Sequence, residues 1–213
     1  GFGVTSLWRG EISEALLHLE RGTTHFSSGM TPLVSSRQSV RMSDPLVSCL
    51  AYSSWALWMG GFPHKALTRS HEALEYSRRL EHPVSIALAL DFSAALHEFR
   101  GEAQEALTLS NEGVALCEQH GFSFWLSLLI IRRGWALSSL GQTSFGLEEV
   151  RKGVDIWKQT GAGLARPFLL VLLSEVLMRA GVIDEALEHL GEASRDGNQR
   201  EELFFEAEVH RLK

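Results

Sequence analysis

Cysteine is scarce in this sequence: Cys49 and Cys117 are the only two in 213 residues. Two are too few for a disulfide framework. Both stand in apolar helical patterns, which fits buried free thiols and a reducing, cytoplasmic setting. Basic charge is also short, with 20 Lys and Arg against 26 Asp and Glu and a formal net charge of -6. A non-specific nucleic-acid binder needs a basic surface, so that class is excluded. No apolar run is long enough to span a bilayer. The most apolar stretch, FSFWLSLLII at 122–131, stops at Arg132-Arg133. The N-terminus has no basic flank followed by an apolar run, the mark of a secretory signal. The chain starts at Gly1 without Met and stops inside a helical pattern, so it is expected to be a piece of a longer protein.

Catalytic signatures are missing as well. Nine histidines are scattered, and no pair stands with Cys or carboxylate at zinc-ligand spacing. His97-Glu98 lacks the second histidine of a metalloprotease helix, and there is neither a GxxxxGK[ST] phosphate loop nor a GxSxG elbow. The expectation is a chain with no catalytic residue, no cofactor and no metal.

What the sequence does have is apolar residues, 45% of the total, enough for a sizeable core and against disorder. It also has glycine in odd places. GWALSSLGQTSFGLEEVRKG at 134–153 carries four glycines inside a helical pattern. Each costs a helix interior about 1 kcal/mol relative to alanine. A repeat explains them. The pattern G-x-x-x-x-[A/G]-L begins at Gly10, Gly61, Gly101, Gly141 and Gly181, the last four 40 residues apart. Seven before this anchor stand Gly3, Ser54, Ala94, Gly134 and Ser174. Five after it stand Ala15, Ala66, Ala106, Gly146 and Ala186, and twelve after it Gly22, Ala73, Gly113, Gly153 and Ala193. Six after it every unit has leucine: Leu16, Leu67, Leu107, Leu147 and Leu187.

These columns describe a helical hairpin. The anchor glycine serves the turn, where a left-handed conformation is often needed. The small residues let two antiparallel axes approach, and the leucine fills the core beside them. The predicted units are 1–44, 45–82, 83–121, 122–162 and 163–197, with the start of a sixth at 198–213, all in one repeat domain. First helices are predicted near 84–99, 123–140 and 164–179, and second helices near 102–118, 142–158 and 182–194. Turn signals EHP, HGF, TGAG and RDGN separate the units. Residues 25–45, HFSSGMTPLVSSRQSVRMSDP, are expected to hold an insertion, an extended second helix or a loop, that ends in a turn at Asp44-Pro45.

The columns resemble the tetratricopeptide repeat (TPR): a small residue on the first helix, glycine at the turn, alanine after it, a small residue late in the second helix. The resemblance implies an all-α, right-handed α–α superhelix. More narrowly, CLAYSSWALWMGGFPHKAL, GFSFWLSLLIIRRGWALSSLGQ, GAGLARPFLLVLLSEVLMRAG and FFEAEVHRLK resemble the C-terminal repeats of bacterial adenylate/guanylate cyclase–ATPase proteins of the STAND, MalT-like class. That likeness implies a scaffold or sensor for chemistry located upstream.

In such an array the first helices line a concave face. Residues three, six, nine and ten before each anchor point there. They nominate Tyr52, Trp55, Asp91, Phe92, Glu98, Arg132, Trp135 and Glu175 as a partner-binding groove, rich in the residue types of binding hot spots. The expected partner is a protein or peptide, upstream domains of the same chain included, with an oligomer also open. The competing reading has the aromatics packing between helices and Arg132 paired with Asp91 or Glu175. Trp135→Ala and Arg132→Glu are expected to weaken partner binding without unfolding the array. Two alternatives stay open: a small-molecule effector sensor and a structural spacer.

Overall fold

A computed structural model describes residues 1–28 and 42–213. Among them are eleven helices and no strand: α1 Phe2–Trp8, α2 Ile12–Ser27, α3 Pro45–Met59, α4 Pro63–Arg79, α5 Pro83–Phe99, α6 Ala103–His120, α7 Ser123–Ser139, α8 Thr143–Gln159, α9 Arg166–Arg179, α10 Ile183–Arg200 and α11 Glu206–Leu212. Each helix packs on the next, and the odd-numbered helices also touch each other, so the array is an all-α superhelix of hairpins. Most of the expected insertion, residues 29–41, lies outside the described residues. Its end does not: Asp44 caps α3, its side chain accepting from the N–H groups of Leu46 and Val47 at 2.8 and 3.1 Å.

The 40-residue rhythm is written in the backbone. The five anchor glycines all have positive φ, between 73° and 88°. A second left-handed series closes the hairpins onto one another at Glu81, Gly121, Gly161 and Glu201, again 40 residues apart. Two of these are glutamates, which carry a Cβ into a region that disfavours it. The last of the series corrects one expectation. RDGN at 195–198 does not end the helix; α10 runs on to Arg200 and turns at Glu201. Asn198 Nδ2 donates to the Ser194 carbonyl and Arg200 pairs with Asp196, so the segment is tied along its own helix. Pro167 falls in the first turn of α9, where its missing N–H leaves no carbonyl unpaired.

The opening glycines answer to close packing. A Cβ on Gly134 would lie 2.6 Å from the Gly146 carbonyl oxygen and 2.8 Å from the Val150 nitrogen. One on Gly146 would lie 2.5 Å from the Gly134 oxygen. Backbone meets backbone between α7 and α8, and nothing larger than glycine fits. Elsewhere the same columns hold Ser and Ala. The buried hydroxyls of Ser54 and Ser174 donate back to carbonyls of their own helices, so small polar residues are accommodated without loss.

First and second helices differ in burial. In α5, residues from Val84 to Leu96 are buried on nearly every side. The second helices bury one stripe, such as Ala106, Ser110, Gly113, Val114 and Cys117 in α6. Outside, neighbouring second helices are linked by Arg78–Glu112 and Arg151–Glu185 pairs at 2.8 Å, half-exposed and worth little. The array also closes across its inner side. The N–H groups of Leu203 and Phe204 donate to the Trp8 carbonyl at 2.9 and 3.2 Å, joining the start of the sixth unit to the first.

Candidate functional site

Asp91 and Glu98 stand seven residues apart on α5, two turns along one face. Both look inward. Arg132, on the neighbouring first helix α7, lies between them. Its Nε donates to Asp91 Oδ1 at 2.7 Å and its Nη2 to Oδ2 at 3.3 Å. Its Nη1 donates to Glu98 Oε2 at 3.2 Å. Arg132 is 2% exposed, Asp91 1% and Glu98 6%. Asp91, with two contacts, is the principal counter-ion. The guanidinium carbon sits 5.1 Å from the Phe168 ring centre and 5.6 Å from that of Trp55. These two rings are edge-on neighbours 6.1 Å apart, and with a carboxylate at the guanidinium edge they suit a planar cation.

Burial sets the charge states. It opposes the Arg132 charge, but Asp91 and then Glu98 outweigh it and hold the guanidinium above its ordinary value. For Glu98, burial pushes the carboxyl up to about 8 against the pull of Arg132, with Glu175 and Asp91 adding to the rise. The Tyr52 hydroxyl is pushed up to about 12, again chiefly by burial.

Over this ion cluster lies an aromatic plug. Trp55 stacks on Phe92 at 4.2 Å and donates through Nε1 to the Phe92 carbonyl at 3.0 Å. Tyr52 meets Phe92 edge-on at 4.4 Å. Phe204 lies parallel to Trp55 at 5.6 Å, and Phe205 stacks on Phe168 at 4.0 Å. Phe204 and Phe205, just ahead of α11, thus fill the middle of the concave side.

Six of the eight nominated residues are therefore buried: Trp55, Asp91, Phe92, Glu98, Arg132 and Trp135. Tyr52 and Glu175 are half-buried. Trp55, Asp91, Phe92, Glu98 and Arg132 come together in one cluster with Tyr52 at its edge. Trp135 and Glu175 form a second group, Trp135 Nε1 donating to Glu175 Oε2 at 3.0 Å. The burial also changes what two substitutions do. Arg132→Glu would set a third carboxylate against two buried ones, and Trp135→Ala would open a hole, so both disturb the fold itself.

Accessible surface remains on one side of the plug, as a cleft of about 430 Å³. Glu98, Trp135 and Glu175 reach it from the nominated set. Trp58, Phe168, Arg179, Phe205, Glu208 and Arg211 join them. Arg179 donates to Glu175 Oε1 and lies 5.4 Å from the Trp135 ring centre. Arg211 pairs with Glu208 at 2.8 Å. Phe168, Phe204, Phe205 and Arg179 were not nominated from the sequence. Phe204 and Phe205 fall before the sixth helix, outside the column pattern, and their two-ring run was the available signal.

Among the described residues no three His, Cys, Asp or Glu side chains gather as metal ligands do. No helix there is long and apolar enough to cross a membrane.

No family model matches the chain. Uncharacterized protein R02095 of Rhizobium meliloti (strain 1021) is 22% identical over 178 residues, covering 84% of this chain and 17% of that protein. The chain thus spans about a sixth of that relative's length. Among solved structures, a Rap protein complexed with Competence and Sporulation Factor matches with a TM-score of 0.65 at 15% identity, over 99% of this chain and 61% of that one. The apo form of RapI matches at 0.62 and 12%, over 97% and 72%. The TPR-like repeats of a Podosopora anserina putative kinesin light chain match at 0.58 and 18%, over 93% and 92%. This chain has the TPR-like repeat fold.

Proposed function

We propose that the chain is a non-catalytic TPR-type interaction module, a scaffold or sensor that takes a protein or peptide on its inner side. The observation that carries this reading is the cleft. It joins the apolar faces of Trp58, Trp135, Phe168 and Phe205 to ionised groups at its rim, the composition of binding hot spots. The Rap protein solved with a bound factor supports it by analogy of fold. The partner is a separate protein or upstream domains of the same chain. The resemblance to cyclase–ATPase C-terminal repeats supports a regulatory role toward such a catalytic region. The test is a capture experiment comparing this chain with a Trp58→Ala/Arg211→Glu variant, whose side chains line the cleft without being buried in the core. A partner held by the first and lost from an equally folded second supports the proposal. Equal capture by both contradicts it.

A second reading has its own observation. The cleft volume lies within the range of small-molecule pockets, and polar groups converge on it. An effector sensor would then be stabilised by a cell-extract metabolite fraction, seen as a raised melting temperature that the same variant abolishes.

A further inference from the structure

Glu98 is a buried carboxylate only half used. Arg132 occupies its Oε2, and among the described residues no donor reaches Oε1. The residue is 94% buried, yet it forms part of the cleft wall. Each other inner carboxylate has its full complement nearby. Asp91 has both oxygens on Arg132. Glu175 has Trp135 on one oxygen and Arg179 on the other. Glu208 has both oxygens on Arg211. Glu98 shares the cleft wall with Trp135, Phe168 and Phe205.

The protein builds the same local unit repeatedly from its own residues. Arg132 lies over Phe168 with a carboxylate at its edge. Arg179 lies over Trp135 with Glu175 at its edge. The cleft adds one more carboxyl group, Glu98, and the rings of Phe204 and Phe205 in its lining, with no cation over them among the described residues. Charge agrees once Glu98 ionises: Asp91, Glu98, Glu175 and Glu208 then face Arg132, Arg179 and Arg211, one carboxylate more than guanidinium groups.

We propose that the cleft receives one arginine side chain of a peptide partner, its guanidinium bonded to Glu98 Oε1 and laid against the aromatic lining. This deepens, and rests on, the interaction reading above. Lysine fits less well, because an ammonium lacks the plane that the rings match. In the empty cleft the Glu98 carboxyl holds its proton up to about pH 8, because burial disfavours its charge. Arginine binding favours the carboxylate, so the proton leaves to solvent as the cation arrives. The groups facing Glu98 are Arg132 from α7, Asp91 from its own helix, Glu175 and Arg179 from α9, and Glu208 and Arg211 from α11. Affinity for arginine therefore rises from about pH 6 to about pH 9.

The test is calorimetric titration of the full chain with three capped tripeptides: Gly-Arg-Gly, Gly-Lys-Gly and Gly-citrulline-Gly. Citrulline keeps the shape of arginine and removes the charge. The arginine peptide is expected to bind about ten- to a hundredfold tighter than the citrulline one, the range of a charged hydrogen bond. Its binding should release protons below about pH 8. Glu98→Gln should erase both the discrimination and the proton release. Glu175→Gln, whose carboxylate is already engaged, should reduce affinity less. In wild type alone, the arginine-to-citrulline ratio should climb with pH, which keeps the test valid if Glu98→Gln folds poorly. Equal affinity for arginine and citrulline, a ratio independent of pH, or no binding at about 10 mM overturns the inference. A partner captured through the cleft without any arginine dependence overturns it too, and leaves the interaction reading intact.

Discussion

Arg132 and Arg133 are neighbours in sequence and opposites in setting. About 100° of helix rotation separates them. Arg132 faces the inner side, 2% exposed, held by Asp91 and Glu98 under aromatic rings. Arg133 faces the outer helix of its own hairpin, its side chain about a fifth exposed, paired with Glu149. The inner column is desolvated and its charges depend on one another. The outer pair keeps contact with water, which screens it and can replace either partner. Equal chemistry thus carries very different weight, and position on the hairpin decides which.

Breaking the inner pair has the largest expected effect. Arg132→Ala leaves Asp91 buried without a cation, at a cost of about 3–5 kcal/mol, read as a lower urea midpoint. The next effect probes the hairpin that carries both arginines. Gly146→Ala forces a Cβ against backbone atoms of α7, at about 1–3 kcal/mol. At Gly113 the atoms nearest an added Cβ belong to the Leu129 side chain, which can shift more readily than backbone, so Gly113→Ala should cost less. An equal loss at the two sites would contradict the close approach of α7 and α8.

The third effect sharpens the inner side alone. Folded Glu98 titrates at about 8, above the ordinary carboxylate value of 4.5. Between those values the unfolded chain ionises while the folded chain keeps its proton. Ionisation therefore favours unfolding, and this contribution lowers stability as pH rises through the window, levelling above about 8. Glu98→Gln lacks this loss, so its stability relative to wild type should increase from about pH 5 to about pH 8 in parallel urea titrations. A constant difference would contradict the burial argument. The smallest effect is that of Arg133→Ala, about 1 kcal/mol or less by the same measurement.

Much of this was legible in spacing. The anchor columns located the hairpin turns, since only a left-handed residue closes them and glycine adopts that conformation freely. The small columns located the close approach of α7 and α8. The column rule also turned Asp91, Glu98 and Arg132 inward, and the competing reading paired Arg132 with Asp91 or Glu175; the structure pairs it with Asp91 and Glu98, while Glu175 is taken by Trp135 and Arg179. The inner plug was not legible. A repeat pattern encodes contacts between adjacent units, whereas Phe204 reaches Trp8 and Trp55 across the whole array. How far the superhelix curves sums small angles over every unit, and no single column records it. For the same reason an open groove was expected where the structure has a cleft beside a plug. The end of α10 was legible in principle, because the 40-residue step from Gly161 lands on Glu201.

The central claim is that the inner arginine, unlike its neighbour, belongs to one coupled buried unit. Two double-mutant cycles measure this directly: Arg132→Met with Asp91→Asn, and Arg133→Met with Glu149→Gln, each followed by urea unfolding. The account predicts a coupling of about 2 kcal/mol or more for the first cycle and about 1 or less for the second. Couplings of equal size would contradict it.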